Sequence, residues 1–139
     1  MLNVNDLRLG NWVLESKNTQ YPMWVSAMGG DENSNWLYLD FEGNEGDVWE
    51  ADAKTVCGVP LSEEILEANG FRQVGHRKYH LLCDNGATID LKVVFQVWQV
   101  AINHSRGLCY TGVLKDIIHV HELQNAYRLI TGSELDIKL

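Results

Sequence analysis

Residues 79–91 read Tyr79-His80-Leu81-Leu82-Cys83-Asp84-Asn85-Gly86-Ala87-Thr88-Ile89-Asp90-Leu91, two runs suited to strands around an Asp-Asn-Gly turn. The length of that turn decides the register. Side chains alternate faces along a strand, so a slip of one residue exchanges the buried face for the solvent face. A two-residue Asn-Gly loop sets Leu82 opposite Ile89 and turns His80 toward Leu91, mixing polar and apolar residues on both faces. A three-residue loop, with Gly86 in the left-handed bulge position, pairs Cys83 with Ala87, Leu81 with Ile89 and Tyr79 with Leu91. His80 then faces Asp90 on the other side, where a cross-strand pair contributes about 0.2–1 kcal/mol. The second register is the one expected.

Working outward, the strand signal continues through Val93 to Phe95. Val97–Ile102 and Leu108–Val113 add strands around a turn at Asn103–Gly107. Upstream lies LSEEILEANGF (residues 61–71), which predicts a short helix. Ser62 suits the N-cap, Glu63 and Glu64 meet the positive end of the helix dipole, and Gly70 can close a Schellman motif that packs Phe71 on Leu66. Downstream, VHELQNAYRLITG (residues 120–132) places Val120, Leu123, Ala126, Tyr127 and Ile130 on one helical side. His121, Gln124, Asn125 and Arg128 fall opposite, and Gly132 ends the helix. Such a helix covers one face of a sheet.

Before Cys57-Gly58-Val59-Pro60 the chain favours strands: Trp12-Val13-Leu14, Trp24 to Met28, and Trp36 to Phe41, separated by Gly, Asn and Asp. In the third run Leu37, Leu39 and Phe41 alternate with Trp36, Tyr38 and Asp40, so one face can be core. The expected fold class is α+β, with an N-terminal antiparallel meander or small barrel over residues 1–58. A short helix, a second antiparallel sheet and a C-terminal amphipathic helix follow in residues 59–139, the whole forming one compact unit.

With 139 residues and 45% hydrophobic content, the chain suits a single ordered globular domain. Its apolar runs are far shorter than the roughly 20 residues of a membrane span. The start, MLNVNDLRLG, lacks the form of a signal peptide, and three scattered cysteines suit a reducing compartment, so the expected location is cytoplasmic. The net charge of −8 is uneven: residues 1–60 carry three basic and ten acidic residues, a net of −7. That field repels phosphates and disfavours nucleic acid, while suiting a basic partner. Trp12, Trp24, Trp36 and Trp49 lie in the same part, mostly as expected core. Trp49, in a loop-like stretch with Glu42, Glu45 and Asp47 nearby, is the candidate exposed anchor.

Residues that suggest chemistry fall short of a constellation. His119 and His121 could share a metal on a strand, but at a helix start they point apart, His119 toward the core and His121 outward. His76, His80 and Cys83 sit in strand-like sequence, where His80 and Cys83 take opposite faces. The loop from Asp40 to Asp47 fails the calcium pattern, with Glu45 and Ala51 where glycine and glutamate are required. No signature ties Cys57, Cys83 or Cys109 to a base, and phosphate-binding glycine loops are lacking. The expectation is therefore no catalysis, no metal and no cofactor.

Three stretches, DLRLGNWV (6–13), VPLSEEILEANGF (59–71) and VHELQNAYRLITGSEL (120–135), resemble a family of small uncharacterised proteins carried by phages and mobile elements of gut bacteria. Its members show LRIGNWV, PLTEEWLLKFGF and VHQLQNLYFALTGEEL in that order. The resemblance implies accessory work in a phage or mobile element and carries no activity with it. Among the shared positions, Gly10, Trp12, Gly70, Phe71, Leu123 and Gly132 suit turns, caps and core. His121, Gln124 and Asn125 are polar without such a duty. The functional expectation is a non-catalytic binding protein engaging a host or phage protein through its acidic, aromatic part. The alternatives are a binder of a small nucleotide-type anion, using Arg128, His121 and Asn125, and a small hydrolase or metalloenzyme. Exposed strand edges would also suit a homodimer.

Overall fold

The computed structural model describes residues 2–16, 18–44, 49–104 and 110–139. The chain divides into two compact units, Met1–Pro60 with His119–His121, and Leu61–Ile118 with Glu122–Leu139. The class is α+β, with one antiparallel five-stranded sheet in each unit.

In the first unit the strands are β1 (Trp12–Glu15), β2 (Asn18–Gly30), β3 (Asn35–Asp40), β4 (Trp49–Asp52) and β5 (Val56–Gly58), in the order β4-β3-β2-β1-β5. Consecutive strands β4 and β5 thus lie on opposite edges. In a flat sheet those edges would stand about 19 Å apart, four spacings of about 4.8 Å. The single 3-10 turn Ala53–Thr55 joins them, and the four steps from Asp52 to Val56 reach at most about 14 Å. The sheet must therefore curl. Its concave side holds Val13, Met23, Val25, Leu37, Leu39 and Ala51, the alternation expected for Leu37 and Leu39. Asn11, fully buried, anchors the turn before β1: its Oδ1 accepts from Arg8 N at 2.7 Å, and Gly10 takes φ +86°.

Trp12, Trp24 and Trp36 do not enter this core. They are half-buried and alternate with the aliphatic residues, so they line the opposite side of the sheet. Small aliphatic side chains fit the inside of a tight curl, while indoles find room on the outside. The register pairs Gly29 with Trp36, and a Cβ on Gly29 would stand 2.1 Å from the indole. The ring lies on bare backbone.

The second unit contains α1 (Glu63–Ala68), β6 (Arg72–Gly75), β7 (Lys78–Leu82), β8 (Ala87–Val94), β9 (Val97–His104) and β10 (Tyr110–Ile117), with the strands in sequential order. The last helix, α2, spans Val120–Thr131. Ser62 caps α1 by accepting from Ile65 N, and Phe71 N donates to Leu66 O at 3.0 Å, with Gly70 at φ +86°. The β7–β8 hairpin has the register argued above: Tyr79 with Leu91, His80 with Asp90, Leu81 with Ile89, and Cys83 N donating to Ala87 O. His80 Nδ1 lies 2.7 Å from Asp90 Oδ1. Tyr79, Ile89, Leu91, Trp98, Val100 and Ile117 are buried, as are Leu66 and Phe71 at the end of α1 and Leu123 and Tyr127 on α2. Asn85 Nδ2 donates to Ile130 O at 3.2 Å and ties the hairpin turn to α2.

One strand ends sooner than its composition suggests. Val94 pairs with Val97, so Phe95 and Gln96 form a two-residue turn with φ +49° and +69°. Tight hairpin turns need positive φ to match strand twist, a requirement normally met by Asn-Gly. Phe95, a β former by propensity, stands 96% exposed at the tip.

Two predictions follow from this packing. Gly29→Ala destabilises the protein by about 1–3 kcal/mol, as overpacking does, and the loss shrinks when Trp36→Leu is present; urea unfolding of the double-mutant cycle reads both. Replacing Phe95-Gln96 by Asn-Gly raises stability by about 0.5–2 kcal/mol, since turn optimisation relieves backbone strain, seen as a higher urea midpoint at unchanged slope.

Candidate functional site: an aromatic and acidic sheet face

The outward side of the first sheet is built by cross-strand register. Trp12 pairs with Trp24, and Trp24 with Asp40. Ala27 pairs with Tyr38 and Tyr38 with Glu50. Gly29 pairs with Trp36 and Trp36 with Asp52. Paired residues share a face, so three rows each carry aromatic groups toward a carboxylate. The Trp12 and Trp24 rings meet edge to face at 5.3 Å, and Trp36 and Tyr38 lie 4.6 Å apart at 47°. Glu50 and Asp52 are exposed on β4, the edge strand. Asp40 is more restrained, its Oδ1 accepting from Phe41 N and Asn44 Nδ2 at 2.8 Å each.

Beside this face, a shallow pocket of about 460 Å³ is lined by residues that include Asp31, Asn33, Asn35, Asp52 and Lys54. Asp31 Oδ1 accepts from Asn33 N and Ser34 N at 2.8 Å each. The Asn33 bond first, then the Ser34 bond, holds this carboxyl below the usual carboxylate range.

The residues singled out from sequence divide differently. Trp49 is exposed at 38%, yet it opens β4 opposite Leu39, on the core side of the sheet, and meets Phe41 edge to face at 6.5 Å. The stretch expected to be a loop is a strand from Trp49 onward. Glu42 is exposed in the turn after β3, whereas Glu45 and Asp47 lie outside the described residues. On α2, His121 and Gln124 are buried at 3% exposure each, and Asn125 is half-buried. A solvated polar face is thus corrected to one packed on both its apolar and its histidine-glutamine sides. Arg128 is exposed, but its Nη1 donates to Gly132 O at 2.6 Å and its Nε lies 3.9 Å from Glu134. Of the set His121, Asn125 and Arg128, the first is buried, the second half-buried and the third exposed. The aromatic rows on β2 and β3 were missed as a site. Their signal was the alternation of Trp36, Tyr38 and Asp40, read only for the core on its other side.

The two described cysteines differ in access. Cys83 is buried, and burial, then the Asp84 charge, pushes its thiol up from the ordinary value; Cys57 is exposed. Cys109 lies outside the described residues. No helix among the described residues is long and apolar enough to cross a membrane. Comparison with protein families, curated proteins and solved structures finds no match to this chain.

Two measurements check these assignments. Near neutral pH, a thiol reagent labels Cys57 well before Cys83, read by peptide mapping, because thiolate character and access govern the rate. Asp31 titrates with a midpoint below 3.8 in the folded protein. Its stabilising bonds are complete above that value and lost as pH falls through the lowered one, so the Asn33 and Ser34 amide signals shift in step with the carboxyl.

Proposed function

We propose that this is a non-catalytic binding protein of phage or mobile-element type, which docks a basic segment of a host or phage protein on the outward face of its first sheet. The observation that carries the reading is the register: aromatic side chains in rows, each row running to a carboxylate at Asp40, Glu50 or Asp52. Such a surface suits arginine and lysine. A guanidinium stacks on indole or phenol faces and gains about 0.5–2 kcal/mol per cation–π contact, more as water is excluded. Carboxylates at the row ends supply charge-assisted hydrogen bonds and steer a cationic partner during encounter. The net charge of −7 over residues 1–60 extends that steering. The resemblance of the three stretches to small phage and mobile-element proteins supports the accessory role. Action inside the cell agrees with the free thiols at Cys57 and Cys83.

An arginine-rich peptide of about ten residues provides a defined probe, with binding read by tryptophan fluorescence and calorimetry. Binding is expected at low salt and weakens as ionic strength rises. Glu50→Lys with Asp52→Lys reduces affinity by about tenfold or more, and Trp36→Ala does so without changing the salt slope. Binding that ignores both salt and these substitutions would refute the reading.

A further inference from the structure

We infer that His119, His121 and Glu122 form a binding site for a divalent first-row transition ion of the Zn2+ type. The inference is independent of the docking face. Helical geometry throughout would set the two histidines apart, but the chain is not helical at His119. That residue forms an isolated antiparallel bridge with Pro60, and Val120 N donates to Val59 O at 2.9 Å. The helix begins only at Val120. With one residue extended and the next helical, both imidazoles emerge on the same side. Their rings lie parallel at 16°, with centroids 5.5 Å apart.

Three further features mark this as a built arrangement. A Cβ on Gly58 would stand 2.5 Å from ring atoms of His119, so bare backbone seats that imidazole. His121 is only 3% exposed, and its buried Nδ1 has no hydrogen-bond partner among the described residues. Glu122 Oε1 accepts from Ile118 N at 3.2 Å, which holds the carboxylate next to the rings. One ligand atom from each of the three side chains lies within 4.8 Å of the others.

Donors sharing one ion at metal–ligand distances of about 2.0–2.2 Å stand roughly 3–4 Å apart. The present spacing, within 4.8 Å, lies close to that value, so small adjustments of the side chains suffice on binding. Two imidazoles and one carboxylate favour zinc and its neighbours over calcium or magnesium, which prefer all-oxygen sites. Three donors from one short segment occupy one side of the ion. A fourth position is left for water or for a donor from a bound partner.

The test uses the full chain after chelator treatment, titrated with Co2+ and Zn2+. One ion per chain is expected, with visible d–d bands for Co2+ and a raised melting temperature for both metals. His119→Ala and Glu122→Gln each weaken binding by about tenfold or more, with circular dichroism unchanged, and His76→Ala binds as the original chain does. Absence of saturable binding, or undiminished affinity in either His119→Ala or Glu122→Gln, would overturn the assignment.

Discussion

A three-residue turn that joins opposite edges of a five-stranded sheet leaves the backbone no flat solution. Ala53–Thr55 imposes this on the first unit, and most of what is distinctive there follows. Curling divides the two sides of the sheet by volume. The inside takes mainly Val, Leu, Met and Ala, with Trp49 at its rim, and the outside takes Trp12, Trp24, Trp36 and Tyr38. Hydrophobicity alone would have buried the tryptophans first. Curvature overrides that preference, and it leaves the largest side chains where they can meet another molecule.

Parts of this architecture were legible in the sequence because local rules and burial agreed. In the β7–β8 hairpin, the Asp-Asn-Gly turn and the alternation of Tyr79, Leu81 and Cys83 permit one register that keeps apolar residues together, and that register is adopted. At α1, Ser62, Gly70 and Phe71 each fill the position their chemistry favours. Where local preference conflicts with topology, the sequence misleads. Phe95 continues a strand by propensity, yet it sits in a turn because Val94 and Val97 close the pairing. Trp49 looked like a loop residue because acidic neighbours hide its strand.

The helix α2 shows the same limit for a candidate site. A helical wheel separates His121 and Gln124 from Leu123 and Tyr127, and polarity then suggests solvent. Both polar residues are buried instead, which no periodicity reports. For His119 the missing information is one backbone bridge to Pro60. The His-x-His spacing was visible from the outset. Its meaning turned on whether the first histidine was extended or helical, a choice made by a residue 59 positions earlier.

That distant pairing also bears on how the protein is made. His119–His121 belong with the first unit, although that unit's other residues end at Pro60. During synthesis the N-terminal sheet can form its hairpins while the rest is still being translated. Its last backbone partner, however, emerges only after the whole second sheet has been decoded. Completion of the N-terminal unit is therefore a late event on the ribosome, and its final maturation coincides with the birth of the terminal helix.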